Sequence, residues 1–147
     1  MLKLVPEIEV AINLTMSEKL KLMVVDDEPN NLDLLYRTFR REFKVIRAES
    51  ASVAMEILET EGEMAIIISD QSMPDMTGIQ FLRKTKDSFP DTIRILLSGY
   101  AEEQINCDVN DIKQANIFKC VTKPCALPEL KVVIQECVEL YKAKKGF

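Results

Sequence analysis

Met64-Ala65-Ile66-Ile67-Ile68-Ser69-Asp70-Gln71-Ser72-Met73-Pro74-Asp75-Met76-Thr77-Gly78 is the stretch that decides the fold. Its first six residues form a nearly continuous apolar run, short enough for a strand and lacking the alternation of a half-exposed one. That is the pattern of a strand covered on both faces. The run stops at a carboxylate, Asp70. Beyond Gly78, the residues Ile79, Phe81 and Leu82 begin a helix that ends before Pro90.

Similar units lie on either side. Upstream are Leu20 to Val25 and Phe43 to Arg47; downstream are Thr92 to Leu97 and Asn116 to Val121. Each run is followed by an amphipathic segment. Leu32, Leu35, Tyr36 and Phe39 follow Pro29 at a helix start. Val53, Met55, Ile57 and Leu58 form a shorter helix with Ser50 or Ser52 as its cap. Residues 101–113 are read as the fourth helix. Leu127 to Tyr141 is the fifth, with a wide apolar stripe of Leu130, Val133, Ile134, Cys137, Val138 and Leu140. Strand and helix thus alternate five times. This predicts an α/β fold: a doubly wound, five-stranded parallel sheet of order 2-1-3-4-5, flavodoxin-like, with helices on both faces. Residues 1–19 stand outside the scheme as an N-terminal extension. Ile8, Val10, Ile12 and Leu14 alternate there like a strand, but a frayed tail is the favoured reading. The domain is expected over 20–142, with 143–147 as a C-terminal tail.

Composition narrows the function. With 147 residues and 47% of them hydrophobic, the chain suits one domain with a real core. The net charge of −5 gives no footprint for direct nucleic-acid binding. The basic cluster Lys142, Lys144 and Lys145 is read as a solvated helix end. No apolar run approaches the ~20 residues that span a bilayer, and no signal peptide is apparent, so the expected location is cytoplasmic, away from membranes. The chain has no His, and its four cysteines, Cys107, Cys120, Cys125 and Cys137, form no CxxC pair. That argues against zinc and against His-assisted nucleophilic chemistry. Reduced thiols are expected, with Cys120 pointing into the fold.

Ligands of such sheets bind at the carboxyl ends of the strands. There the first strand delivers Asp26-Asp27-Glu28, the third Ser69-Asp70, the fourth Leu97-Ser98-Gly99, and the fifth Thr122-Lys123-Pro124. Converging carboxylates repel one another unless their pKa values rise or a cation sits among them. Oxygen ligands alone select a hard ion, Mg²⁺ or Mn²⁺. Lys123 supplies a positive charge for a phosphate oxygen, and Ser98 a hydroxyl that can turn to the same anion. Each feature alone has a plainer reading: Asp27 or Glu28 as a helix cap, Asp70 as a turn former, Lys123-Pro124 as a loop. The set of four strand ends is far more specific than any of them.

Together Val24 to Pro29, Ile67 to Gly78, Ile95 to Tyr100 and Val121 to Pro124 resemble the receiver domain of two-component response regulators, over about residues 20–142. The resemblance implies that Asp70 is the phosphoacceptor. It implies Asp26, Asp27, Asp70 and the backbone carbonyl of Ser72 as the metal ligands, and Ser98 and Lys123 as the switch and phosphate-binding residues. It also implies a cis peptide at Lys123-Pro124, which places Pro124 as a cis-proline. The expected partner is a sensor histidine kinase or a phosphotransfer protein. The output would be a partner or an attached domain, with a possible homodimer through helix 4, strand 5 and helix 5. The chain would then be a signalling switch and not an enzyme.

One departure concerns the inward-turning aromatic that the family carries three residues before the lysine. Cys120 stands there, so Phe118 or Tyr100 would have to serve. Phe118, two residues earlier, is expected on the same strand face as Cys120. An alternative is a Mg²⁺-dependent aspartyl-nucleophile phosphatase. Its family pattern of Asp, one spacer residue and Asp after the first strand is replaced here by adjacent Asp26-Asp27. A nucleotide- or flavin-binding module would want a Gly-rich phosphate loop there, and the chain has only four glycines.

Overall fold

The computed structural model describes residues 19–99 and 109–146. The expectations for residues 1–18, Tyr100, Cys107 and most of the segment before the fourth helix lie outside them. Among the described residues, five strands alternate with five helices. They are β1 (Lys21–Val25), α1 (Pro29–Phe39), β2 (Lys44–Ala48), α2 (Ala51–Glu61), β3 (Ile66–Asp70), α3 (Gly78–Lys86), β4 (Ile93–Ser98), α4 (Val109–Gln114), β5 (Ile117–Thr122) and α5 (Leu127–Lys145). All pairings are parallel, in the order β2-β1-β3-β4-β5. The architecture is the one expected.

The apolar runs explain the layers. Successive side chains on a strand point to opposite faces. Leu22, Val24, Ile66, Ile68, Ile95 and Leu97 therefore meet Leu32, Leu35 and Phe39 of α1 and Leu130, Ile134 and Cys137 of α5. Met23, Val25, Ile67 and Leu96 face the other way. They meet Ala51, Ala54 and Leu58 of α2, Phe81 and Leu82 of α3, and Ala115 beyond α4. Each fully buried Ile, Leu or Phe contributes about 1.5–3 kcal/mol.

Local chemistry sets the helix starts. Ser50 caps α2 by accepting from the Val53 amide at 3.1 Å. Thr77 and Gln80 form a reciprocal capping box on α3. Gly62, at φ +80°, turns the chain out of α2. The fifth helix runs past the expected end at Tyr141 to Lys145. Its last turn is not merely solvated: Lys145 pairs with Glu63 at 2.8 Å and Asp91 at 3.1 Å.

The fifth strand departs from simple alternation. Arg94 pairs with Ile117, but the next residue, Ile95, pairs with Lys119, so β5 carries one extra residue. Ile117 packs with the α2–α3 layer, whereas Val121, four residues on, packs with the α1–α5 layer. A regular strand would put both on one face. Cys120 is exposed, not directed into the fold as expected, and Phe118 is 39% exposed. The bulge also removes the parity from which Phe118 and Cys120 were placed on one face.

Candidate functional site

The carboxyl ends of β1, β3, β4 and β5 meet at one cleft of about 500 Å³, lined by Asp26, Asn31, Asp70, Ser72, Gly99 and Lys123 with an apolar flank from Leu34 to Leu130. Asp26 and Asp70 are buried, at 1% and 6% exposure, while Asp27 is exposed. One ligand oxygen from each of the three lies within 4.8 Å of the others, the cluster of this kind found among the described residues.

Lys123 Nζ sits 2.7 Å from Asp70 Oδ1 and 3.5 Å from Asp26 Oδ2. The Lys123-Pro124 peptide is cis, as the family resemblance implied. The Lys123 amide also donates to the Ser98 carbonyl at 2.7 Å, which joins the ends of β4 and β5. Ser98 is buried beside them.

The electrostatics of the central pair run in an unusual direction. Loss of solvent raises the Asp70 pKa; the hydrogen bond from Lys123 opposes this, but the Asp26 and Asp27 charges add to the rise. For Lys123, burial works downward, and the Asp70 hydrogen bond and the Asp26 and Asp70 charges outweigh it, so its pKa is raised. A simple ion pair would lower its carboxyl partner. The net rise at Asp70 means that one ammonium group does not offset the buried, crowded carboxylates. A cation among them would offset that charge, and an all-oxygen donor set suits a hard divalent ion.

The helix-cap reading of the acidic pair does not hold. Glu28 is the N-cap of α1 but makes no side-chain cap hydrogen bond. Asp26 instead accepts from the Glu28 amide through Oδ1 at 2.9 Å and from Asn31 Nδ2 through Oδ2 at 3.2 Å.

Several supporting residues escaped the sequence reading. The Gln71 side chain accepts from the Ile79 amide at 3.0 Å, and the Gln71 amide donates to the Leu97 carbonyl at 2.9 Å. Asp75 accepts from the Ser52 amide and hydroxyl at 2.8 and 2.9 Å, fastening the loop after Asp70 to the start of α2. Gly78 abuts Asp70 itself: a Cβ there would lie 2.3 Å from the Asp70 carbonyl oxygen. Sequence signalled only the glycine, through its place in the motif.

The fold and this rim define a phosphoacceptor signalling switch. Residues 22–135 match the response regulator receiver domain, and the chain belongs to that family. It is 36% identical over 125 residues to the hydrogenase transcriptional regulatory protein HoxA of Bradyrhizobium diazoefficiens, covering 84% of this chain and 25% of that protein. The chain thus spans about a quarter of the length of the curated relatives it matches first. Solved structures share the fold. A CheY-like receiver domain protein from Methanospirillum hungatei superposes with a TM-score of 0.77 at 23% identity, covering 86% of this chain and 99% of that one. An adenylate cyclase structure from Rhodopirellula baltica gives 0.78 at 22% identity, covering 88% and 94%. These findings lend no support to the phosphatase alternative. Receiver domains accept phosphoryl groups from sensor kinases and typically bind Mg²⁺ at an acidic pocket such as the one formed here. No helix among the described residues is long and apolar enough to cross a membrane.

Proposed function

We propose that Asp70 is the phosphoacceptor of a cytoplasmic receiver domain spanning residues 20–142, with 1–19 and 143–147 as flanking segments. The observation that carries this reading is the contact of Lys123 Nζ with Asp70 Oδ1 at 2.7 Å within a cluster of three carboxylates. Asp26, Asp27, Asp70 and the Ser72 carbonyl would hold Mg²⁺ or Mn²⁺. When bound, the ion offsets the carboxylate charge and that of the transferring phosphoryl group.

A carboxylate oxygen of Asp70 attacks the phosphorus of a phosphohistidine. The P–N bond breaks, its electron pair goes to the imidazole, and the new P–O bond makes an aspartyl phosphate. Lys123 lies close enough to follow the charge from the Asp70 carboxylate onto a phosphoryl oxygen, where it counters the negative charge of the transition state. The donor would be a sensor histidine kinase or a phosphotransfer protein. Leu34, 49% exposed beside the cleft, offers it an apolar contact.

Phosphate on Asp70 then rewards a nearby donor, and the Ser98 hydroxyl is the candidate. Its movement would reach β5 through the Ser98–Lys123 backbone hydrogen bond. Phe118 or Tyr100 would report it in place of the usual aromatic. The α4–β5–α5 surface, with exposed Phe118, Val132 and Leu140, is the candidate face for a partner or a second copy. The coupling available is typically ~1–3 kcal/mol.

Intact-mass measurement after incubation with Mg²⁺ and acetyl phosphate or phosphoramidate tests the assignment. The wild type should gain one phosphoryl group, and both EDTA and Asp70→Asn should abolish the gain. An equal yield in the variant would move the acceptor elsewhere.

A further inference from the structure

Asn31 lies in the first turn of α1 and lines the same cleft as Asp70 and Lys123. An asparagine there would ordinarily be solvated or would cap its own helix. Here its amide reaches inward, and Nδ2 donates to Asp26 Oδ2 at 3.2 Å. Asp26 is 1% exposed, so this contact is part of how a buried carboxylate is held.

The donors around Asp26 are unevenly shared between its oxygens. A carboxylate oxygen has about two lone-pair sites. Oδ2 takes two side-chain donors, Asn31 Nδ2 and Lys123 Nζ. Among the described residues Oδ1 takes one, the Glu28 amide. Oδ1 therefore keeps the capacity for a cation or a cation-bound water. Of the two donors on Oδ2, Lys123 is the one expected to move, because it also faces Asp70 at 2.7 Å and follows the charge when a phosphoryl group arrives. Asn31 carries no charge, sits on a helix, and has no such competing partner among the described residues.

We propose that Asn31 is a positioning residue for the acidic cluster: its amide fixes Asp26 Oδ2, so that Oδ1 stays directed to the metal while Lys123 transfers to the phosphoryl group. This rests on the reading of Asp26, Asp27 and Asp70 as the metal site. In this proposal Asn31 acts through Asp26 and not by contact with the phosphoryl group or the metal. Its effect should therefore fall on metal affinity and leave the transfer rate at saturating metal nearly untouched. Loss of a hydrogen bond that orients a metal ligand typically weakens metal binding ~10–100-fold.

The test is Mg²⁺ titration calorimetry of the full chain, wild type against Asn31→Leu and Asn31→Ala. It is paired with the Mg²⁺ dependence of phosphorylation by acetyl phosphate. Leucine keeps the shape without the donor, and alanine keeps the helix should leucine disturb the fold. The expected result is a Kd for Mg²⁺ raised about 10-fold, with the maximal rate at saturating Mg²⁺ within about twofold of wild type. A Kd within twofold of wild type in either folded variant overturns the proposal. So does a parallel loss of affinity, maximal rate and thermal stability, which would mark Asn31 as merely structural. Failure of the underlying site reading looks different: the wild type itself would bind no Mg²⁺, or Asp70→Asn would still take up phosphoryl.

Discussion

At the carboxyl ends of the strands, three carboxylates face one ammonium group; at the amino ends, the charged groups named below each have partners. There Glu63 accepts from the Tyr141 hydroxyl at 2.6 Å and pairs with Lys145, which also reaches Asp91. Lys21 and Lys44 share Glu61. Arg94, fully buried in β4, donates to the Thr85 hydroxyl at 2.9 Å, the Thr92 carbonyl at 2.8 Å, the Thr85 carbonyl at 3.1 Å and the Phe89 carbonyl. Burial lowers its pKa to about 10. One rim is thus closed by internal partners and holds loops and helix ends together. The other is left short of positive charge, which suits the cation proposed for it.

Breaking the closed rim should have the largest effect on stability. Arg94→Met keeps much of the buried bulk but strips donors from three carbonyls and a hydroxyl. A loss of about 3 kcal/mol is expected by urea unfolding, several times that of an ordinary surface substitution. Gly78→Ala attacks the open rim sterically, because its Cβ would meet backbone that cannot swing aside. About 2–3 kcal/mol should be lost, along with phosphoryl uptake, by the same unfolding and intact-mass measurements.

Asp70→Asn should act in the opposite sense and stabilise the metal-free protein. The folded-state pKa of Asp70 is raised. Its contribution to stability is therefore fully present below the unfolded value of ~3.9 and is lost as pH rises through the folded value. In EDTA the variant should melt about 2–5 °C above wild type at pH 7, and the gap should close toward pH 3. Equal melting temperatures at pH 7 would show that Lys123 alone balances the cluster. Lys145→Ala should have the smallest effect. Its partners are part-exposed, so the melting temperature should change by only about 1–2 °C, and less still in 1 M NaCl.

The two rims were not equally legible in the sequence. The open rim was visible because its chemistry is terminal: Asp26, Asp70, Ser98 and Lys123 each follow an apolar run, and a strand end is where a run stops. The closed rim was not. Arg94 sits inside the run Ile93 to Leu97, where an arginine reads as a solvent-facing interruption, and only its four oxygen acceptors explain its burial. Lys145 looked like part of a solvated tail, because its partners Glu63 and Asp91 precede other strands and meet it only through topology. Asn31 was hidden for a different reason: it stands only five residues from Asp26, but nothing in the pattern of runs shows that an amide in the first turn of a helix turns back to the strand end. Cys120 was misplaced because one extra residue in β5 leaves no mark in a pattern of short apolar runs; its signature is register against Arg94 and Ile95, not composition.

That extra residue bears on how the molecule behaves in a crowded solution. Among the described residues the sheet ends on β5 at one side, and a flat edge strand with unpaired amides and carbonyls is a template for other chains to add to. A bulge twists such an edge and breaks the even spacing of its hydrogen-bonding groups, and an exposed charge beside it repels a copy of itself. The fifth strand has both, with the irregularity at the Arg94/Ile95 step and the exposed Lys119 immediately after it. The side chains of this surface can therefore serve a specific partner while its backbone resists open-ended strand addition, a guard against aggregation placed on the face proposed for contact.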